Sequence, residues 1–214
     1  MHAAVSRLHF PVTTLGPGRR IGLWLQGCSI RCPGCISVDT WQHGVGFVPV
    51  SDVLDRITSL AAEAEGLTVS GGEPFDQPEA LAAVLAGWRR VSDRSALVFT
   101  GREVAEVEPW LTAHPGLVDA VIDGPFRSDL PQTVALRGSD NQALHVLTPL
   151  GEELRAFDRP MEPADRRLDV MFDEAGDAWL AGIPARGDVG RLRRALAAAG
   201  HRAFTSDSRG AFAA

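Results

Sequence analysis

The sequence predicts an α/β protein, a partial barrel of mostly parallel strands that carries a small C-terminal α+β extension. Three observations lead there. Short apolar runs alternate with stretches of helical periodicity across residues 21–122. Three strand–helix units follow one another directly, the order that right-handed crossovers between parallel strands produce. The glycine- and cysteine-bearing segments all fall at predicted strand ends, where ligands collect in such sheets. The chain has 214 residues, which is short for a closed eightfold barrel, so the expected barrel is partial or open.

The elements follow in order. Residues 21–26 (IGLWLQ) read as a buried strand that runs into Gly27 and the cysteines, and a glycine-rich stretch continues to Gly46. Ser51 stands where a helix N-cap belongs, and Val53, Leu54, Ile57, Leu60 and Ala61 repeat at helical spacing. Residues 67–70 form a second strand ending in Gly71-Gly72, and Leu81, Val84, Leu85 and Trp88 share one helical face. Residues 96–100 form a third strand, 104–111 a third helix and 118–122 a fourth strand ending at Asp123-Gly124. The cysteine loop, Gly71-Gly72-Glu73, Thr100-Gly101 and Asp123-Gly124 therefore share one rim. We divide the chain into a core, 1–150, and an extension, 151–214. In the extension, 152–167 is a charged, proline-punctuated linker or exposed helix-plus-loop. Residues 168–172 and 178–183 make a hairpin through a turn at 173–177, 189–199 is a helix stopped by Gly200, and 206–214 is a loose end.

Composition excludes several chemistries. Hydrophobic residues at 45% and charged residues at 22% describe an ordinary globular protein. A formal charge of −6 opposes a nucleic-acid partner, which calls for a basic face. All 21 basic residues are arginine and tyrosine is absent, so a Schiff-base lysine, a lysine general base and a tyrosyl radical are ruled out. Residues 1–10 lack the apolar run of a secretory signal, and no stretch reaches the roughly 18 apolar residues of a membrane span. The expectation is a cytoplasmic protein with no membrane partner. In that reducing compartment clustered cysteines are metal ligands rather than disulfides.

All three cysteines lie in one loop, Cys28-Ser-Ile-Arg-Cys32-Pro-Gly-Cys35, with C-x3-C-x2-C spacing. Gly27 and Gly34 supply the backbone freedom for three thiolates to converge. A structural zinc site takes four ligands, and the fourth would have to be His43 or something remote. A disulfide leaves a spare thiol, and a redox C-x2-C pair leaves Cys28 without a role. An iron–sulfur cluster fits best: three cysteines where clusters usually take four leave one iron open to a substrate or cofactor. Zinc remains the alternative. Trp24 and Trp41 flank the loop; Trp24 reads as core, and Trp41 reads equally as core or as a shield for the cluster. Trp88 is core. His43, His114 and His145 carry no metal-binding spacing and read as structural or exposed.

C-x3-C-x2-C in the loop after the first strand resembles the signature of the radical S-adenosylmethionine (SAM) superfamily. The resemblance implies a 4Fe-4S cluster on Cys28, Cys32 and Cys35 whose open iron is chelated by SAM. One electron then breaks the sulfur–C5′ bond, giving methionine and a 5′-deoxyadenosyl radical. Thr-Val-Ser70-Gly71-Gly72-Glu73-Pro74 is similar to the family's second motif: its glycines admit close approach, and Glu73 suits a ligand ammonium. Four further segments resemble the activating proteins of anaerobic ribonucleotide reductase: Leu-Trp24-Leu-Gln26-Gly27-Cys28, Arg31-Cys32-Pro33-Gly34-Cys35, Asp123-Gly124-Pro125-Phe126 and Arg137-Gly138-Ser139-Asp140-Asn141-Gln142. These small activases place a radical on a glycine of a partner enzyme, and the likeness spans roughly residues 16–148.

By this resemblance Gly34, Cys35 and Ile36, with Ser70, Gly71, Gly72 and Thr100 on the rim, line the SAM site. Asp123 positions the methionine end of SAM or an associated cation, and Arg137 and Asn141 contact the SAM carboxylate or adenosine or else satisfy strand-end backbone groups. The implied partners are a flavodoxin- or ferredoxin-like electron donor, since no cysteine is left for a second cluster, and a glycyl-radical enzyme. Two departures bear on the hydrogen donor: Ile36-Ser37 stands where the activases commonly carry His-Asn, and the extension exceeds their compact pattern. The alternatives are a radical SAM enzyme acting directly on a small molecule or peptide, and a non-catalytic zinc or iron–sulfur module.

Overall fold

The structure is a computed structural model that describes residues 1–172 and 178–201. The turn expected at 173–177 and the loose end at 206–214 lie outside the described residues. Seven strands form one open sheet: β1 (His2–Val12), β2 (Arg20–Leu25), β3 (Phe47–Pro49), β4 (Gly66–Gly71), β5 (Ala96–Phe99), β6 (Ala120–Asp123) and β7 (Ala143–Val146). Their spatial order is β3-β1-β2-β4-β5-β6-β7. The four central strands, β2, β4, β5 and β6, pair in parallel, and antiparallel strands close both flanks. The α/β class and the parallel centre thus match the expectation, while β1, β3 and β7 are additions that the apolar pattern did not mark.

Three helices supply the crossovers, α1 (Val50–Leu60), α2 (Pro78–Val91) and α3 (Val104–Ala113). Alternation along each strand sends one set of side chains to them. Ile21, Leu23 and Leu25 of β2, Leu67 and Val69 of β4 and Ala96 and Val98 of β5 pack with Val53 and Ile57 of α1 and Leu81, Leu85 and Trp88 of α2. At Gly87 a Cβ would stand 2.1 Å from Leu54, so glycine is what lets α1 and α2 close on each other. Ser51 does not cap α1. The helix begins one residue earlier at Val50 behind Pro49, and the Ser51 hydroxyl bonds Asp52 instead.

The opposite face of the sheet is covered by the extension. Pro149–Phe157, a 3-10 segment, buries Leu154 fully against Leu97, Ala120 and Ile122. β8 (Leu168–Phe172) and β9 (Ala178–Gly182) pair as a separate antiparallel sheet, and α4 (Asp188–Ala198) follows. Ala181, with Met171 and Ile183, packs on Val12, Leu15 and Trp24. Gly22 makes room for that packing, because a Cβ there would lie 2.6 Å from the Trp24 ring. Among the described residues no helix is long and apolar enough to cross a membrane.

Candidate functional site

The rim at the carboxyl ends of β2, β4, β5 and β6 is built by four turns that touch one another. After β2 the backbone enters the cysteine loop through Gly27, at φ +98°. The loop is closed at its base by two hydrogen bonds, from Gly27 N–H to the Thr40 carbonyl (2.7 Å) and from Cys28 N–H to the Trp41 carbonyl (3.2 Å). Ser29 is tied to the turn after β4: its N–H and hydroxyl donate to Asp76 at 2.7 and 2.8 Å. Asp76 also receives the Arg102 guanidinium at 2.7 Å from the turn after β5. Ile30 leans over Gly101, and Gly34 sits against Phe126 and Ser128 of the loop after β6.

The three thiols are disposed differently. Cys28 is buried, whereas Cys32 and Cys35 are half-buried. Burial pushes the Cys32 and Cys35 thiols up; Cys28 raises both further, and Cys32 raises Cys35. Opposing this, the Phe126 backbone donates to Cys32, and the Ser37 backbone and Trp41 side chain to Cys35; Arg31 N–H donates to the Cys28 sulfur at 3.4 Å. Donors aimed at sulfurs that solvation alone does not ionise suit metal-bound thiolates, because a metal ion deprotonates a coordinating thiol outright. Among the described residues no three of His, Cys, Asp or Glu are gathered as ligands of one ion. Cys32 and Cys35 nevertheless stand close enough to each other and to Cys28 to interact electrostatically, and three cysteines are one ligand short of a tetrahedral zinc site but suit a cluster with one open iron. The residues fit a three-cysteine cluster.

The turn after β4 is saturated with protein partners. A Cβ at Gly72 would lie 1.9 Å from the Gly27 carbonyl oxygen, and one at Gly71, φ +112°, 2.3 Å from the Leu25 carbonyl oxygen. These glycines admit the backbone of β2 and its loop. Glu73 is fully buried. One of its oxygens accepts from Phe75 N–H (3.0 Å) and the Thr100 hydroxyl (2.8 Å), the other from Gly101 N–H (2.9 Å). Burial pushes the Glu73 carboxyl up, against the pull of those three donors and of Arg102. Ser70 lies half-buried at the end of β4, and Ile36 is 37% exposed at the loop surface.

The remaining candidates divide similarly. Asp123, nearly buried, accepts the first N–H of α3 from Val104 at 2.7 Å and lies 3.1 Å from His145 Nε2, which is not aligned for a hydrogen bond. Asn141 donates to the Pro125 carbonyl at 2.8 Å and accepts from Ser139. Arg137 spends its guanidinium on the carbonyls of Ala135, Gln142 and Phe157 and on Asp158, away from the cysteine loop. Asp76 and Arg102 were not marked in sequence. Asp76 closes the run Glu73-Pro-Phe-Asp76, but its tie to Ser29 spans 47 residues and has no local signature. A cavity of about 370 Å³ opens elsewhere, between Gln132 and Arg166, Arg186 and Arg191, and takes no part in this rim.

Comparison with known proteins agrees with the thiol chemistry. The family model described as the 4Fe-4S single cluster domain matches residues 14–145. The anaerobic ribonucleoside-triphosphate reductase-activating proteins of Salmonella typhi and Vibrio cholerae are 30% and 31% identical over 148 and 150 residues, each match covering 65% of this chain and 96% of the relative. That of Enterobacteria phage T4 is 30% identical over 134 residues, covering 60% of this chain and 85% of the relative. The crystal structure of QueE from Escherichia coli aligns with a TM-score of 0.40 at 19% identity, over 47% of this chain and 53% of that one, an overlap too partial to add to the assignment. With the cysteine loop inside a match that spans more than half of its length, the chain belongs to the 4Fe-4S single cluster domain family and is a radical SAM enzyme, using a 4Fe-4S cluster and SAM.

Proposed function

We propose that this enzyme activates a partner by placing a radical on one of its glycines. The likeness to the reductase-activating proteins along nearly their whole length carries the reading. When bound, the cluster supplies an open iron and one electron, and SAM the adenosyl group that becomes the hydrogen-abstracting radical. Cys28, Cys32 and Cys35 hold the cluster. Gly34, Ile36 and Ser70 line SAM. Gly71, Gly72, Glu73 and Thr100 form the floor beneath it, and Asp123 and Asn141 hold the loop after β6 in place. Arg137 acts at a distance, through that loop. All three cysteines are spent, so the electron comes from a flavodoxin- or ferredoxin-like protein in the cytoplasm. We retain 151–214 as an extension added to the core.

One observation favours direct action on a small molecule or peptide instead: the extension packs over the face of the sheet opposite α1 and α2. The test is anaerobic. The reconstituted protein is mixed with SAM, dithionite and a glycyl-radical reductase, and a glycine-radical doublet is sought by electron paramagnetic resonance. A doublet that Cys32→Ala abolishes is the expected result. Formation of 5′-deoxyadenosine without a doublet transfers the assignment to the second reading.

A further inference from the structure

Among the described residues, one route from the extension to the cysteine loop runs through the side chain of Arg7. Arg7 of β1 stands opposite Trp24 of β2 and faces the side of the sheet that the extension covers. Its guanidinium lies between two indoles, 5.2 Å from the Trp24 ring and 4.7 Å from that of Trp179 on β9, both within cation–π range. The same guanidinium binds Asp39 at 2.5 Å, and the two side chains are only 9% and 12% exposed. Asp39 lies in the 3-10 turn Val38–Thr40, which begins three residues after Cys35. That turn closes the loop: Gln26 donates to the Asp39 carbonyl at 3.2 Å, and Gly27 to that of Thr40.

Docking, rather than the hairpin alone, sets the position of Trp179. Asp169 on β8 accepts from Thr13 N–H and hydroxyl at 2.6 and 2.8 Å and from Thr14 N–H at 3.2 Å, pinning the hairpin to the end of β1. Both Asp169 and Trp179 lie beyond residue 145, where the family match ends. The chain's own addition is therefore wired to the part it shares with its relatives.

We propose that Arg7 and Trp179 are positioning residues for the cysteine loop: the extension holds the Arg7 guanidinium against Asp39 and so fixes the end of the loop that carries Cys35. Trp179 restricts a long, flexible cation to the one orientation in which its planar fork reaches Asp39. The functional weight of this rests on Cys28, Cys32 and Cys35 being the cluster ligands, but the mechanical coupling is measurable without a cluster.

Because the three cysteines of the chain all lie in this loop, a thiol-alkylating reagent applied to the full-length, metal-free protein reports on the loop alone. Trp179→Ala and Arg7→Met should be alkylated at least about fivefold faster than wild type through local opening of the loop. Trp179→Phe, which keeps an aromatic face, should stay within about twofold. Val84→Ala, a core change in α2 far along the chain from the loop, serves as the control at a matched loss of unfolding midpoint, and should leave the rate near that of wild type. Unchanged alkylation in Trp179→Ala and Arg7→Met, or equal acceleration in Val84→Ala, overturns the proposal. Failure of the wild type to assemble a cluster would strike the ligand assignment instead and leave these rates as they are.

Discussion

The cysteine loop and the Gly71-Gly72-Glu73 turn lie side by side on one rim, and their side chains have different work left to do. Two of the three thiols remain half-exposed, with one or two donors each from neighbouring groups. The neighbouring turn has no such reserve, with Glu73 buried under three donors and Gly72 pressed against a carbonyl. The lesson is that residues of a ligand-site motif separate into those that offer groups and those that build the surface on which groups are offered. The resemblance assigns both motifs to SAM, whereas the geometry gives only the loop free ligating atoms.

The largest expected effect lies on the offering side. Cys32→Ala should reduce iron content and bring 5′-deoxyadenosine formation to background while leaving the unfolding midpoint of the metal-free protein within a few degrees, because Cys32 is half-buried and belongs to none of the core clusters. A large loss of stability in the metal-free variant would erase the contrast. Gly72→Ala should do the reverse. With the new Cβ 1.9 Å from the Gly27 oxygen, the strand ends must part, at a cost of at least about 3 kcal/mol in urea unfolding. Near-wild-type stability would mean that the glycine serves a ligand instead.

Glu73→Ala should follow at about 2–4 kcal/mol, since it strands the Phe75 and Gly101 N–H groups and the Thr100 hydroxyl. The pH dependence sharpens this further. The native Glu73 carboxyl is raised above its ordinary 4.5 by burial, so the folded state holds the proton more tightly. Its contribution is fully present below 4.5 and is lost as the pH rises through the native value. The stability of wild type relative to Glu73→Gln should therefore fall between pH 4.5 and that higher value; a rising difference would show that the three donors outweigh burial. The smallest effect is Asn141→Ala, about 1 kcal/mol for the bond to Pro125, with SAM affinity following stability rather than collapsing. A collapse of affinity at intact stability would move Asn141 to the offering side.

The parallel centre was legible because its strands are buried on both faces and their apolar runs are continuous. Residues 21–26 were read as a strand, and β2 spans Arg20–Leu25 with every residue buried. β1 was not legible: Arg7 and His9 interrupt its apolar pattern, and those side chains pack on the rings of Trp24 and Trp179. β7 is four half-buried residues whose pairing with β6 carries no local mark. Ser51 failed as a cap because Pro49 had already set the entry to α1.

The sequence by itself determined the thiol spacing, the alternation of strands and helices and the placement of glycines at strand ends, since each is a local pattern with a local physical meaning. Only the tertiary structure decided that Glu73 faces protein donors, that Asp76 and Arg102 bind three turns into one rim, and that the extension meets the cysteine loop through Arg7. Those outcomes depend on which backbone carbonyl or carboxylate lies within about 3 Å, and residues far apart in the chain reach that distance only when the fold is closed.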